Sequence, residues 1–142
     1  MAVPVVQTDR MDRVVVGAAL VDDGRLLAAQ RTAPPELAGL WEFPGGKVEP
    51  GEDERTALAR ECREELGVVV DVGDLLGEVA VPIGTLRVYR ASLVRGQPQV
   101  REHSALRWLL ANEVFDVPWI PVDLELVQHL ANELGTDVPP GV

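Results

Sequence analysis

Three glutamates in the middle of the chain, Glu61, Glu64 and Glu65, have the spacing of a divalent-metal site. They belong to a run from about Asp53 to Leu66 that contains no Gly or Pro and is rich in Ala, Leu, Glu and Arg, which favour a helix. At 100° per residue, the three carboxylates fall within about a third of the helix circumference. Because like charges this close repel one another, a hard, oxygen-seeking cation such as Mg²⁺, or Mn²⁺ in its place, would stabilise them.

The same helix has a predicted buried stripe next to its acidic face. Leu58, Cys62 and Leu66 follow one another at i, i+4 and i+8. Arg60 lies four residues, about one turn, before Glu64 and can hold the carboxylates without being a metal ligand. A solvated, salt-bridged surface helix has a similar composition. Composition alone therefore leaves both interpretations open.

The spacing of the residues around the helix favours the metal site. Counting from Gly46, the chain reads Gly, five residues, Glu52, seven residues, Arg60-Glu61, Cys62, Arg63, Glu64-Glu65, Leu66, Gly67, Val68. This pattern resembles the Nudix box of the Nudix hydrolases, and all its polar and glycine positions match. The one departure is Cys62, where the family usually has a larger aliphatic residue. Cysteine packs as a small hydrophobe, so the position should still be buried.

The residues around this motif narrow the resemblance. The stretch AAQRTAPPELAGLWEFPGGKVEPGE is similar to the MutT group of Nudix hydrolases, which remove modified nucleoside triphosphates from the nucleotide pool. The run WEFPGGKVEP and the later segment from Trp119 to Asp123 resemble the CTP pyrophosphohydrolase branch. The resemblance spans roughly residues 13 to 132.

The resemblance implies that water hydrolyses a nucleoside triphosphate to a monophosphate and pyrophosphate, a reaction that depends on positioning and charge neutralisation. Glu61, Glu64 and Glu65 match the family's metal-binding glutamates. One of them, with Glu61 the first candidate, is expected also to act as base on the attacking water. Gly45 matches the glycine whose backbone carbonyl binds the metal.

Further residues complete the site that the resemblance implies. Glu52 and Arg60 match positions that form a supporting salt bridge. Many members add an acidic residue from a later loop, and Glu102 is the candidate here. Its neighbour His103 is expected to be solvated rather than to act as a base.

Phosphate and base contacts are predicted outside the helix. Arg31 and Lys47 are cations near the expected phosphate path. Members that read 8-oxoguanine tend to place an Asn near position 123, whereas the carboxylate of Asp123 suits the N4 amine of cytosine. Trp119 and Phe43 are candidates to stack on the base, although such aromatic residues are often part of the core.

Three functions remain open at this stage. The first is Mg²⁺-dependent hydrolysis of (d)CTP or a modified cytosine nucleotide. The second keeps the reaction but acts on 8-oxo-dGTP, or on a dinucleotide such as ADP-ribose, whose hydrolases usually carry additional elements. The third is a catalytically silent Nudix module that binds a ligand, which would be expected to lack a metal-binding glutamate.

The elements that position these residues follow from hydrophobic periodicity and turn residues. Strands are predicted at 13–21, 25–31, 85–94 and 105–109, a strand, turn and strand at 68–83, and a closing helix at 122–134. Strands interleaved with two helices predict an α/β fold with a mixed sheet between helices. The Nudix resemblance implies the same α/β/α sandwich. We expect a single domain over 13–134, with flexible tails at 1–12 and 135–142.

Composition limits the partners. The chain has 142 residues, 46% of them hydrophobic, which is enough for one domain with its own core. A net charge of −10 argues against a nucleic acid polymer as partner. There is no apolar run near 18 residues and no signal-peptide pattern, so no membrane association is expected. The single cysteine fits a reducing cytoplasm, and we expect a monomer or homodimer.

Overall fold

A computed structural model describes residues 13–136, which form a sheet of seven strands with two α-helices. The strands are β1 (Arg13–Asp22), β2 (Arg25–Gln30), β3 (Trp41–Glu42), β4 (Gly45–Lys47), β5 (Val69–Val81), β6 (Gly84–Arg95) and β7 (Ala105–Leu109). The helices are α1 (Glu54–Leu66) and α2 (Leu124–Thr136), with 3₁₀ turns at Ala111–Glu113 and Pro121–Asp123. The predicted tail at 1–12 and residues 137–142 lie outside the described residues.

The sheet is mixed, as predicted. Its order is β3-β2-β1-β6-β5, with β4 also pairing with β1 and β7 with β2. The long β1 and β6 run parallel, from the pair Arg13 and Gly84 to the pair Leu20 and Ala91. The other pairings of these seven strands are antiparallel.

The core lies in two layers, one on each face of β1, because successive side chains of a strand point to opposite faces. On one face, Val16, Ala18 and Leu20 pack with the buried side of α1. On the other face, Ala19 packs in a cluster that includes Phe43, Trp119 and residues of α2. The sheet thus lies between the two helices, which confirms the predicted sandwich.

Helix α1 begins and ends where its capping residues predict. The side chain of Asp53 accepts a hydrogen bond from the Thr56 N–H at 2.8 Å, and Gly67 ends the helix at φ +72°. Ala57 is buried together with the predicted stripe of Leu58, Cys62 and Leu66. Because this apolar stripe packs against the sheet, it fixes the direction in which the acidic face of α1 points.

The structure differs from the prediction between residues 68 and 83. Instead of a strand, a turn and a strand, the chain forms the single strand β5 along β6. The register shifts between Val72 and Leu75 and again before Gly77, so Gly73 and Asp74 form a β-bulge rather than a turn. Helix α2 begins after a 3₁₀ turn and extends to Thr136. No helix within residues 13–136 is long and apolar enough to cross a membrane.

Candidate active site

Two glutamates of α1 lie directly against the backbone of β4. The Gly45 N–H donates to Oε1 of Glu65 at 3.1 Å. A Cβ atom at Gly46 would overlap the carboxylate of Glu61. Since β4 pairs with β1 at Gly45 and Gly46, the two glycines allow the helix and the sheet backbone to approach closely.

Crowding and burial perturb the acidic face. Burial raises the pKa of Glu61, and the charges of Glu64 and Glu102 add to the rise. Burial also raises the pKa of Glu65 well above its ordinary value, helped by the charges of Glu61 and Glu102 and opposed by His103. The side chain of Glu64 is 58% exposed. Negative charge is therefore costly at Glu61 and Glu65, and a cation would lower this cost.

Arg60 is the centre of the predicted supporting interactions. Its Nε and Nη2 donate to the two oxygens of Glu52 at 2.8 and 3.0 Å, and Nη1 lies 3.3 Å from both Glu61 and Glu64. Its Nη2 also donates to the Lys47 carbonyl oxygen at 3.1 Å. The hydrogen bond from Arg60 holds the pKa of Glu52 below its ordinary value. The predicted salt bridge between Glu52 and Arg60 is present.

The acidic residues suit a metal ion that takes some of its ligands from the protein and the others from water and the substrate. Across residues 13–136, no three His, Cys, Asp or Glu side chains converge into a preformed metal cage. Glu61, Glu65 and Glu102 are nevertheless close enough to raise the pKa values of the two helix glutamates. Mg²⁺ keeps several waters and takes the rest of its ligands from a few carboxylates and phosphates. These residues fit such an ion without a full protein cage.

A cavity of about 520 Å³ opens beside this acidic face. Glu65, Glu102 and the two glycines of β4 line it, while Glu61 and Glu64 lie outside its wall. An apolar part of the wall comes from the turn between β5 and β6 and from the segment before α2, through Val81, Pro82, Ile83, Leu86, Ile120 and Val122. This volume is within the range of small-molecule sites.

Asp123 is a buried acid in the wall of this cavity. It is 1% exposed, its Oδ2 accepts from the Phe43 N–H at 3.3 Å, and its Oδ1 has no partner. Burial raises the pKa of Asp123 to about 7. Near neutral pH the free oxygen can therefore accept a hydrogen bond from a ligand or, when protonated, donate one.

The two aromatic residues predicted to contact the base have different positions. Phe43 lines the cavity. Trp119 is not part of the cavity wall: it packs against Phe43 with ring centroids 5.4 Å apart, and its Nε1 donates to the Val114 carbonyl oxygen at 2.6 Å. Trp119 therefore supports Phe43 from within the core.

The cations and His103 lie in the same cavity wall. Arg31 pairs through Nη1 with Oε1 of Glu42 at 2.6 Å, and Lys47 also lines the cavity. The prediction that His103 is solvated is wrong: it is 7% exposed, and its Nε2 lies 2.9 Å from Oε2 of Glu42. The loop that carries His103 is held against β2 by a hydrogen bond from the Ser104 N–H to the Gln30 carbonyl oxygen at 3.0 Å.

Sequence reasoning missed Glu42 as a site residue. The available signal was a carboxylate between two buried aromatic residues, Trp41 and Phe43, in the run WEFPGGKVEP. The sequence does not indicate that Arg31 and His103 bind this carboxylate.

Comparison with known proteins agrees with this geometry. The family model described as NUDIX domain matches residues 11–130. A Mycobacterium tuberculosis H37Rv protein named "Putative 8-oxo-dGTP diphosphatase 2" is 49% identical over 130 residues, covering 88% of this chain and 92% of that protein. The CTP pyrophosphohydrolase of Escherichia coli K12 is 43% identical over 118 residues, covering 80% of this chain and 87% of that protein.

A solved structure shares the fold. The solution structure of the E. coli ORF135 protein superposes with a TM-score of 0.72 at 37% identity, covering 93% of this chain and 96% of that one. With the family match over most of the chain and two relatives above 40% identity, these findings show that the chain belongs to the Nudix hydrolase family.

Proposed function

We propose that this Nudix pyrophosphohydrolase acts on (d)CTP or a modified cytosine nucleotide, in the presence of Mg²⁺, and releases the monophosphate and pyrophosphate. The observation that supports this substrate is the unpartnered Oδ1 of Asp123 in a cavity that also contains Arg31, Lys47 and Glu65. One cavity thus offers a hydrogen-bond acceptor for a base, cations for phosphates and carboxylates for a metal ion.

In this proposal the acidic face holds the metal ion and places the attacking water. Glu61, Glu64 and Glu65, with Glu102 and the Gly45 carbonyl, would hold Mg²⁺, which when bound neutralises phosphate charge and activates water. A carboxylate of raised pKa is a suitable proton acceptor near neutral pH. Glu61 and Glu65 both have a raised pKa, and of these two Glu61 is the one that pairs with Arg60.

Base recognition would depend on Asp123. As a carboxylate, Asp123 accepts a hydrogen bond from the N4 amine of cytosine. Phe43 and the apolar wall would cover the ring, and Arg31 and Lys47 would contact the polyphosphate. The role in the cell would be sanitation of the nucleotide pool in the cytoplasm, by a monomer or homodimer that binds no nucleic acid polymer.

A second candidate substrate is 8-oxo-dGTP. Since the pKa of Asp123 is about 7, its protonated form can donate a hydrogen bond to a purine acceptor. The M. tuberculosis relative carries the name of an 8-oxo-dGTP diphosphatase. A silent module is disfavoured because the three helix glutamates and their supporting arginine are all present.

Pyrophosphate release tests the substrate. We expect Mg²⁺-dependent turnover in a panel of dCTP, CTP, 5-methyl-dCTP, dGTP and 8-oxo-dGTP, with the highest kcat/KM on a cytosine nucleotide. Preference for 8-oxo-dGTP would replace the substrate but keep the mechanism. Absence of turnover on the whole panel would refute the proposed reaction.

Glutamine variants test the helix carboxylates. Glu61→Gln and Glu65→Gln remove a charge while keeping the shape, and we expect both to lower kcat. The variant that removes the general base should lose about 100-fold or more, because a general base contributes about 10²–10⁴-fold. The variant that loses kcat but retains Mn²⁺ affinity identifies the base. Glu125→Gln, at an exposed position of α2, is the matched control. Full activity in both site variants would contradict the assignment of these carboxylates.

A further inference from the structure

The loop that carries Glu102 is fixed on both sides of that residue. On one side, Nη1 of Arg101 donates to the carbonyl oxygens of Arg63 and Glu64, at 3.1 and 3.2 Å, at the end of α1. On the other side, His103 is buried against Glu42. Glu102 itself is held through its carbonyl oxygen, which accepts from Oγ1 of Thr32 at 3.3 Å.

Glu42 has two partners from different parts of the chain. Its Oε1 binds Arg31 at the end of β2, and its Oε2 binds Nε2 of His103. A carboxylate only accepts hydrogen bonds, so the His103 Nε2 carries the proton that is shared with Glu42. The Glu42 side chain is only 17% exposed, so both contacts are largely shielded from water and from competing ions.

These contacts connect two functions of the cavity. Arg31 is the proposed phosphate-binding cation, and Glu102 is the proposed metal ligand outside the helix. Arg31 binds the Glu42 carboxylate directly, and Glu102 is linked to the same carboxylate through its neighbour His103. Removing a group that hydrogen-bonds and orients a metal ligand typically lowers metal affinity or activity by about 10–100-fold.

We propose that Glu42 is a positioning residue, which holds Arg31 toward the phosphates and, through His103, holds Glu102 toward the metal ion. This inference rests on the proposed function, because it takes Glu102 as a metal ligand and Arg31 as a phosphate contact. Glu42 also lines the cavity, but both of its carboxylate oxygens are engaged, Oε1 by Arg31 and Oε2 by His103, so we assign it a positioning role rather than a metal or substrate contact.

Binding of Mn²⁺ to the substrate-free protein, measured by electron paramagnetic resonance, tests the link to Glu102. We expect Glu42→Ala and Glu102→Gln each to weaken Mn²⁺ binding about 10-fold. We expect the double variant to bind no more weakly than Glu102→Gln alone, because Glu42 acts through Glu102. Unchanged affinity in either single variant, or a loss in the double variant equal to both single losses combined, would overturn the proposal.

The link to Arg31 has its own readout. Glu42→Ala should raise the KM for the preferred nucleoside triphosphate about 10-fold, and adding Glu42→Ala to Arg31→Ala should raise it no further than Arg31→Ala alone. Fully multiplicative effects on KM would contradict a shared role. The control Glu36→Ala changes an exposed carboxylate of the nearby loop and should leave Mn²⁺ affinity and KM unchanged.

If Glu42→Ala does not fold, a second pair of variants tests the positioning role of Glu42. The amide of His103→Gln can donate to Glu42 in place of the imidazole, whereas His103→Phe fills the space without a donor. We expect His103→Gln to retain more Mn²⁺ affinity than His103→Phe, and equal losses would refute the positioning role. These binding measurements need no turnover, so failure of the substrate assignment can be distinguished from failure of this inference.

Discussion

Asp123 combines a carboxyl group, an apolar surrounding and one hydrogen-bonding oxygen left without a partner. A buried polar group without a partner costs about 1–3 kcal/mol. Burial alone also favours the protonated form of the acid. A residue that destabilises the fold in this way is consistent with a role in binding, where a ligand provides the missing partner.

The cost of Asp123 can be measured through pH. Its pKa is about 7 when folded and 3.8 ordinarily, so between about pH 4 and 7 the folded protein keeps a proton that the unfolded chain has lost. The free energy of unfolding contributed by this group therefore falls as pH rises through that range, by at most about 4 kcal/mol at about 1.4 kcal/mol per pKa unit. Asp123→Asn is neutral throughout.

Urea unfolding of the metal-free protein at pH 5 and pH 8 provides the measurement. We expect Asp123→Asn to gain stability over the natural sequence on going from pH 5 to pH 8. Other titrating groups are common to both proteins and cancel in the difference. A stability difference that does not change with pH would show that Asp123 ionises normally in the folded protein.

At the level of elements, the site depends on how closely β4 approaches α1. Gly46→Ala places a Cβ atom where the Glu61 carboxylate lies, and this carboxylate is the flexible end of a side chain that can move aside. We therefore expect a stability change within about 1 kcal/mol but Mn²⁺ binding weakened about 10-fold, since a ligand is displaced. Urea unfolding and electron paramagnetic resonance measure the two effects.

Gly135→Ala is the matched control for Gly46→Ala. It lies in α2, and no atom lies within 4 Å of the added Cβ atom, so the change should leave Mn²⁺ binding unaltered and slightly stabilise the helix. If Gly46→Ala also left the Mn²⁺ affinity unaltered, metal binding by Glu61 would not depend on the close approach of β4 to α1.

The elements were predictable where local signals agree with the fold. Helix α1 carries a capping Asp53, a terminal Gly67 and an apolar stripe of helical period, so its bounds could be read from the sequence. Strand β5 carries Gly73 and Asp74, which locally favour a turn. Pairing with β6 on both sides of the bulge overrides that preference, and no local pattern contains this information.

At the level of the whole molecule, the sequence identified most of the charged residues of the cavity wall but not their contacts. Motif spacing and resemblance indicated Glu65, Arg31, Lys47 and Asp123, all of which line the cavity. The burial of His103 depends on Glu42, which lies far away in the chain. Such a pair is set by tertiary packing, and the residues around either partner do not indicate it.

Trp119 is a second residue whose role the sequence alone does not decide. An aromatic residue near the predicted base reader is compatible with stacking on a base or with packing in the core. Its backbone bridges that of Trp41, and its ring lies behind Phe43, so only the fold distinguishes the two roles.

The parallel pairing of β1 with β6 has a consequence for how the chain folds. The two strands are separated in sequence by four strands and helix α1, so their contacts are non-local and slow to form. During synthesis, the edge of β1 that pairs with β6 stays open until Arg95 has left the ribosome. Until then this edge can pair with other extended chains, so truncation before β6 should favour aggregation.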